Sequence, residues 1–168
     1  GNGRWARSKG SIRLHGHKVG VDSVRDITES CAQLGVKYFT LYAFSTENWD
    51  RPKGEINLLM RYLDNFLTRQ IKDFNKNNIR LMVIGEGPPM PGYLLKKIKL
   101  AEKKTSSNDG LTVVLALNYG ARQEIINAVK KFTQEALEGE ASVKDLDIEK
   151  FNKYLYTEDI PDTDFLIR

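Results

Sequence analysis

A chain of 168 residues, 40% hydrophobic and 29% charged, is long enough for one domain with its own core and too charged to lie within a membrane. Its 26 Lys and Arg against 22 Asp and Glu leave a net charge of +4, which permits a local anion site without requiring a nucleic-acid polymer as partner. The single cysteine, Cys31, excludes an intrachain disulfide and a cysteine zinc cluster and fits a reducing, cytoplasmic setting, while no run approaches the roughly 18 to 20 apolar residues that span a bilayer.

The first 21 residues hold Arg4, Arg7, Lys9, Arg13 and Lys18, both histidines (His15 and His17), several glycines, and no acid before Asp22. In Gly1-Asn2-Gly3-Arg4 the glycines allow close backbone approach and the guanidinium is a bidentate donor, so the stretch reads as an anion-binding loop suited to a phosphate or diphosphate. A solvated basic loop is the alternative. The P-loop ending and the three-glycine dinucleotide fingerprint are both missing.

Val21, Val24, Ile27, Cys31 and Leu34 predict a helix from Gly20 to Leu34, with Gly35 after it as the C-cap residue. Val36 to Phe44 reads as a strand buried on both faces and runs into polar Ser45-Thr46-Glu47-Asn48. Glu55 to Phe74 carries a continuous apolar stripe and is the longest predicted helix. Ile79 to Ile84 is a second strand, followed by an irregular loop from Gly85 to Gly92 that holds three of the five prolines. A basic helix from Tyr93 to Lys104, a strand from Leu111 to Leu117 and a helix from Gln123 to Leu137 with Ile126, Val129, Phe132 and Ala136 inward come next. Asp147 is placed to cap a short helix ending at Leu155, with Leu146 stapled on Phe151, and a last strand is expected at Asp164 to Ile167.

Strands alternating with helices predict an α/β fold: a mostly parallel central sheet flanked by helices on both faces, as a single domain over residues 1–168. The chain starts without Met and stops just after an apolar triplet, as expected of a piece of a longer polypeptide. In such sheets ligands gather at the carboxyl ends of strands, here Ser45 to Arg51 and Asn118 to Arg122. Phe44 to Pro52 packs hydroxyls, an amide, a carboxylate, an indole and a guanidinium into one connection. Each has an ordinary structural use in a turn or on a surface; together they mark a candidate site. An anion site at one end of the Glu55 to Phe74 stripe suggests an elongated apolar cavity for an amphiphile with a charged head.

At these residues the sequence resembles the cis-prenyltransferases, the undecaprenyl diphosphate synthase family. The matches are Gly1 to Ala6, Gly16-His17-Lys18 with Gly20, Tyr42 to Trp49 with Arg51-Pro52, Asn118-Tyr119-Gly120 with Arg122, and Asp162 with Asp164 to Arg168, in family order along the whole chain. The resemblance implies a transferase that condenses farnesyl diphosphate with successive isopentenyl diphosphate units, with Mg2+, into a long-chain polyprenyl diphosphate, a cell-wall lipid carrier. It implies that Gly1, Asn2, Gly3, Arg4, Trp5, Arg13 and His17 hold the allylic diphosphate. Ser45, Thr46, Glu47, Trp49 and Arg51 would complete the substrate site, Asn48 would assist proton removal, and Arg168 would bind isopentenyl diphosphate. No metal ligand is expected within the chain: the family's metal-binding Asp falls immediately before Gly1 and a second, Glu, beyond Arg168. A cytoplasmic homodimer touching the inner face of the membrane through its lipid product is implied as well. Ala121 stands where the family commonly has a second glycine, and His15 matches no family site.

The rival from another class is a non-catalytic partner of the same fold; retention of Asn2, Arg4, Arg13, His17 and Asn48 favours the enzyme. A trans-prenyltransferase is excluded because Asp159, Asp162 and Asp164 do not form its Asp-rich helical motif. A nucleic-acid module is disfavoured and would show salt-steep binding indifferent to prenyl chains.

Overall fold

The structure, a computed structural model, describes residues 2–167, with the side chains of Arg13, Leu14, His17 and Lys18 left out. Helix α1 (Asn2–Ser8) packs on α2 (Arg13–Gln33), strand β1 (Tyr38–Ser45) leads into a 3-10 turn (Thr46–Asp50), and α3 (Lys53–Lys76) follows. Then come β2 (Arg80–Ile84), α4 (Gly92–Thr105), β3 (Thr112–Tyr119), α5 (Ala121–Leu137), a short 3-10 turn (Val143–Asp145) and α6 (Ile148–Asn152). The three strands form a parallel sheet in the order β1-β3-β2, so the expected α/β architecture is the observed one.

Sheet order decides burial. Strand β3 pairs on both sides, and every residue from Thr112 to Asn118 is buried, the pattern of a strand covered on both faces. Strand β1 was expected to share that burial and does not. It has one neighbour, and only Phe44 is fully buried while Tyr42 is 72% exposed, because its outer edge and one face meet no second layer. Register slips at Ala43, where Tyr42 opposes Ala116 and Phe44 opposes Leu117. This bulge lets Phe39, Leu41 and Phe44 share one face despite their odd and even numbers.

That face carries the main core. Val113, Leu115 and Leu117 of β3 and Leu81 of β2 pack under Met60, Leu67 and Phe74 of α3 and Leu94, Ile98 and Ala101 of α4. Cys31 and Ala32 of α2 lie against the same cluster. The opposite face is thinner, with Ile84, Val114 and Ala116 covered by Tyr119, Tyr156 and Ile160.

Four further expectations are corrected. The opening stretch is helical rather than a loop: Ala6 is fully buried, and α1 lies so close to α2 that a Cβ at Gly16 would sit 2.1 Å from the Asn2 carbonyl oxygen. Helix α2 begins at Arg13, so Gly16 and Gly20 lie inside it as the small surface on which α1 rests. On α5, Ile126 and Val129 are exposed and the buried residues are Glu124 and Ala128, because the Glu124 carboxylate is tied inward by the Tyr119 hydroxyl and the Tyr156 N–H. The expected strand at 164–167 pairs with none of the three strands, and without a ladder Phe165, Leu166 and Ile167 lie 71–82% exposed. The Asp147 cap is observed, its side chain accepting the Lys150 N–H, although α6 ends at Asn152 rather than Leu155.

Candidate functional site

The apolar stripe of α3 has two uses. Met60, Leu67 and Phe74 sit in the core, while Leu59, Leu63 and Phe66, with Met60, wall a cavity of about 210 Å³ bounded by α2, β1 and β3. Val21 and Val24 of α2 and Leu41 to Phe44 of β1 form the other walls, and Asn2 is the polar member of the lining, set there by the close fit of α1 on Gly20. The apolar cavity expected beside the helix that begins near Glu55 is therefore present.

At the carboxyl ends of the strands a second set of residues converges on Asn118. This residue is 2% exposed and has a φ of 48°, in the left-handed region that Asn tolerates better than most side chains. Its Oδ1 accepts the Trp49 indole N–H at 2.7 Å, and its Nδ2 donates to the carbonyls of Glu86 at 3.1 Å and Pro88 at 2.8 Å. One amide thus ties the connections after β1 and β2 to the carboxyl end of β3. Pro88–Pro89 in the second of these is cis.

The turn after β1 is closed by a capping box, in which the Ser45 side chain accepts the Asn48 backbone N–H and the Ser45 N–H donates to Asn48 Oδ1 at 3.3 Å. That bond engages one lone pair of the oxygen, and an amide oxygen carries two. Glu47 is held below the usual carboxylate range, chiefly by its own backbone N–H, then by the Ser45 hydroxyl, with Thr46 and the charge of Arg122 adding to it against some desolvation. Trp49 stands edge-on to Phe44 with ring centroids 4.9 Å apart, which joins the turn to the cavity wall. Arg51 forms an ion pair with Glu55 in the first turn of α3.

Of the residues expected at a site, the structure brings Ser45, Thr46, Glu47, Asn48, Trp49 and Arg51 together at one strand end, with Asn2 at the cavity. Gly3 and Arg4 lie on α1, and Arg4 is exposed with no hydrogen-bond or ion-pair partner among the described residues. Trp5 is not part of the cavity wall; it stacks on His15 at 6.4 Å and is 44% exposed, because it points away from the face of α1 that carries Ala6. Gly1, Arg168 and the side chains of Arg13 and His17 lie outside the described residues. Sequence reasoning placed Asn118 at a strand end where ligands gather and in a matched motif, but did not name it as a site residue or as the hub that joins the loops.

Among the described residues no three His, Cys, Asp or Glu side chains converge to hold a metal ion.

The whole chain, residues 1–168, matches the family model described as "Putative undecaprenyl diphosphate synthase". The isoprenyl transferase of Clostridium perfringens is 44% identical over 168 residues, covering 100% of this chain and 66% of that protein. The Micrococcus luteus protein named ditrans,polycis-undecaprenyl-diphosphate synthase ((2E,6E)-farnesyl-diphosphate specific) is 45% identical over 168 residues, 68% of its length. Among solved structures, lavandulyl diphosphate synthase from Lavandula x intermedia in complex with dimethylallyl diphosphate superposes with a TM-score of 0.89 at 32% identity, covering 96% of this chain and 69% of that one. A probable undecaprenyl diphosphate synthase from Campylobacter jejuni superposes with a TM-score of 0.72 at 38% identity, over 81% of this chain and 63% of that one. The chain thus spans about two thirds of the length of the relatives it matches.

Proposed function

Because the chain belongs to the undecaprenyl diphosphate synthase family over all 168 of its residues, we propose that the full-length protein is a cis-prenyltransferase. It condenses an allylic diphosphate, farnesyl diphosphate for preference, with successive isopentenyl diphosphate units and releases a long polyprenyl diphosphate. The observation that carries this reading is the apolar cavity with Asn2 in its wall, beside the polar residues gathered around Asn118. An amphiphile needs that pairing of a polar entrance with a dry channel. The Micrococcus relative is named for farnesyl diphosphate and the lavender structure contains dimethylallyl diphosphate, both allylic diphosphates, which supports the substrate class.

Departure of the diphosphate leaves an allylic cation and concentrates charge on the leaving group, so cations fixed beside it stabilise the transition state more than the ground state. Arg4, exposed and without a protein partner among the described residues, is suited to that role, with Arg13 and His17 beside it in sequence. Asn48 is a weak base, but a C–H next to a carbocation is strongly acidic, and the second lone pair of its Oδ1 suffices as a first acceptor. Each five-carbon unit that enters the cavity gains about 4 kcal/mol at about 0.8 per carbon, which draws the tail inward past Leu59 and Leu63. Mg2+, which the resemblance implies, would supply positive charge to the departing diphosphate. A homodimer, a cytoplasmic setting and membrane contact through the product belong to the same proposal.

The test is incorporation of labelled isopentenyl diphosphate by full-length protein with farnesyl diphosphate and Mg2+, with product length read by chromatography. Polyprenyl products are expected; no incorporation points instead to a non-catalytic partner subunit. Arg4→Ala is expected to lower turnover about 10- to 100-fold, the loss of one charge-assisted hydrogen bond at about 1.5–3 kcal/mol, with an unchanged circular dichroism spectrum. Wild-type turnover in that variant would remove Arg4 from the diphosphate site.

A further inference from the structure

We propose that the outward surface formed jointly by α3 and α4 docks on the interface of an anionic phospholipid bilayer. Outside the first 21 residues, much of the positive charge of the chain lies there. Each of the two helices carries five Lys and Arg, against three acids on α3 and one on α4, whereas the whole chain has a net charge of only +4.

Two of these acids are engaged by the protein itself. Glu102 turns toward the sheet, where its Oε1 accepts the Val83 N–H at 2.8 Å, and Asp64 is neutralised by Lys97. Lys97 Nζ bonds to both Asp64 and Thr68 of α3, which fastens the two helices side by side so that their outer faces form one surface. Lys96, Lys99, Lys103 and Lys104 stand exposed on it, with Arg61, Arg69 and Lys72 of α3 beyond them.

What distinguishes this surface from a polyanion-binding patch is its apolar content. Tyr93 and Leu100 are 55% and 51% exposed, seven residues apart on α4 and hence on one stripe, with lysines between and after them. A bilayer interface offers anionic headgroups for the lysines and an apolar layer just below for Leu100 and Tyr93, the division of labour of an interfacial amphipathic helix.

A groove of about 430 Å³ between α2 and α3 shares Val21, Tyr62 and Phe66 with the apolar cavity and is lined by Arg25 and Arg69 together with Asp22 and Asp73. Choosing a bilayer as the partner rests in part on the prenyl-transfer reading, since a polyprenyl product must leave for a lipid phase. The charge, the exposed Leu100 and the joined helices stand without it.

The experiment is vesicle co-sedimentation of the full-length protein with phosphatidylcholine alone, and with phosphatidylcholine containing a third phosphatidylglycerol. Binding is expected only to the anionic vesicles and should fade as salt is raised. At about fivefold per lysine, Lys99→Gln/Lys103→Gln/Lys104→Gln should weaken it about 100-fold, and Leu100→Ser severalfold, while Lys130→Gln/Lys131→Gln on α5 leaves it unchanged. Equal binding to neutral vesicles, an equal loss in the α5 pair, or a preference for duplex DNA over vesicles would overturn the proposal. Turnover with detergent-dispersed substrates is measured alongside. If the wild type binds vesicles but makes no product, the surface stands and the prenyl-transfer reading falls; if it makes product but ignores anionic vesicles, the reverse holds.

Discussion

Asn118 shows how much a single amide can organise. Removing it leaves the Trp49 indole N–H and two loop carbonyls without their partner, and any side chain with a Cβ other than Asn or Asp is strained at a φ of 48°. Asn118→Ala is therefore expected to destabilise by about 3 kcal/mol or more, and Asn118→Gly by about 1 kcal/mol less than that, because glycine accepts the backbone geometry while losing the same bonds. Urea unfolding of the pair separates the two contributions; equal midpoints would show that backbone strain is negligible there. Glu102 supplies a contrasting case. Burial outweighs its bond to Val83 and the charges of Lys99 and Arg80, so its carboxyl is pushed above the usual range. A raised carboxyl pKa means that the folded state holds the proton more tightly than the unfolded chain, so stability is lost as pH rises from the unfolded pKa through the folded one. Glu102→Gln, which keeps an acceptor for the Val83 N–H, should match the wild type at pH 4 and gain in melting temperature above that window. The sequence made Trp49 and the polar turn visible because their side-chain types are concentrated in one stretch. It placed Asn118 at a strand end but hid its linking role, which lies in a backbone angle and in two partner loops 30 residues or more away in sequence.

Among the elements, the long periodic ones were legible and the opening one was not. Helix α3 announces itself through eight apolar positions at helical spacing, whereas α1 has only Trp5 and Ala6 to bury and so carries no periodic signal. What fixes α1 is a fit that residue types alone do not display: the glycines of α2 make room for its backbone. Gly16→Ala would drive a methyl group into the Asn2 carbonyl, and backbone cannot swing away as a side-chain tip can. It is expected to destabilise by about 1–3 kcal/mol and to disturb the polar end of the cavity, in contrast to Gly54→Ala in the first turn of α3. At Gly54 an added Cβ meets nothing within 4 Å, and alanine should stabilise by about 0.5–1 kcal/mol through helix propensity. Thermal melts of the two variants test the pair, and a neutral Gly16→Ala would show that α1 is loosely held. The stripe on α5 misled for a related reason: periodicity reports that a face is apolar, not which partner covers it, and the sheet takes Ala128 and the bonded Glu124 instead of Ile126 and Val129.

Over the molecule as a whole, alternation of strand and helix was enough to indicate a parallel sheet, but it could not say which strand lies in the middle, since β1 and β3 are both continuous apolar runs. Central position gives β3 two ladders and two covered faces, and a stability gradient should radiate from it. In native-state hydrogen exchange the amides of Val113 to Leu117 should open only with global unfolding, whereas those of α1 and of residues 162–167 should exchange at least about a thousandfold faster. Uniform protection across these segments would contradict that gradient. Helix α3 occupies the other decisive position. One side of it borders the apolar cavity and the other carries Arg61 and Lys72 into solvent, so on the proposed reading the shelter for a growing tail and the quay at which it would be unloaded are separated by the thickness of one helix, about 10 Å. A substitution that shifts this single rod would change the length of the cargo and its delivery together.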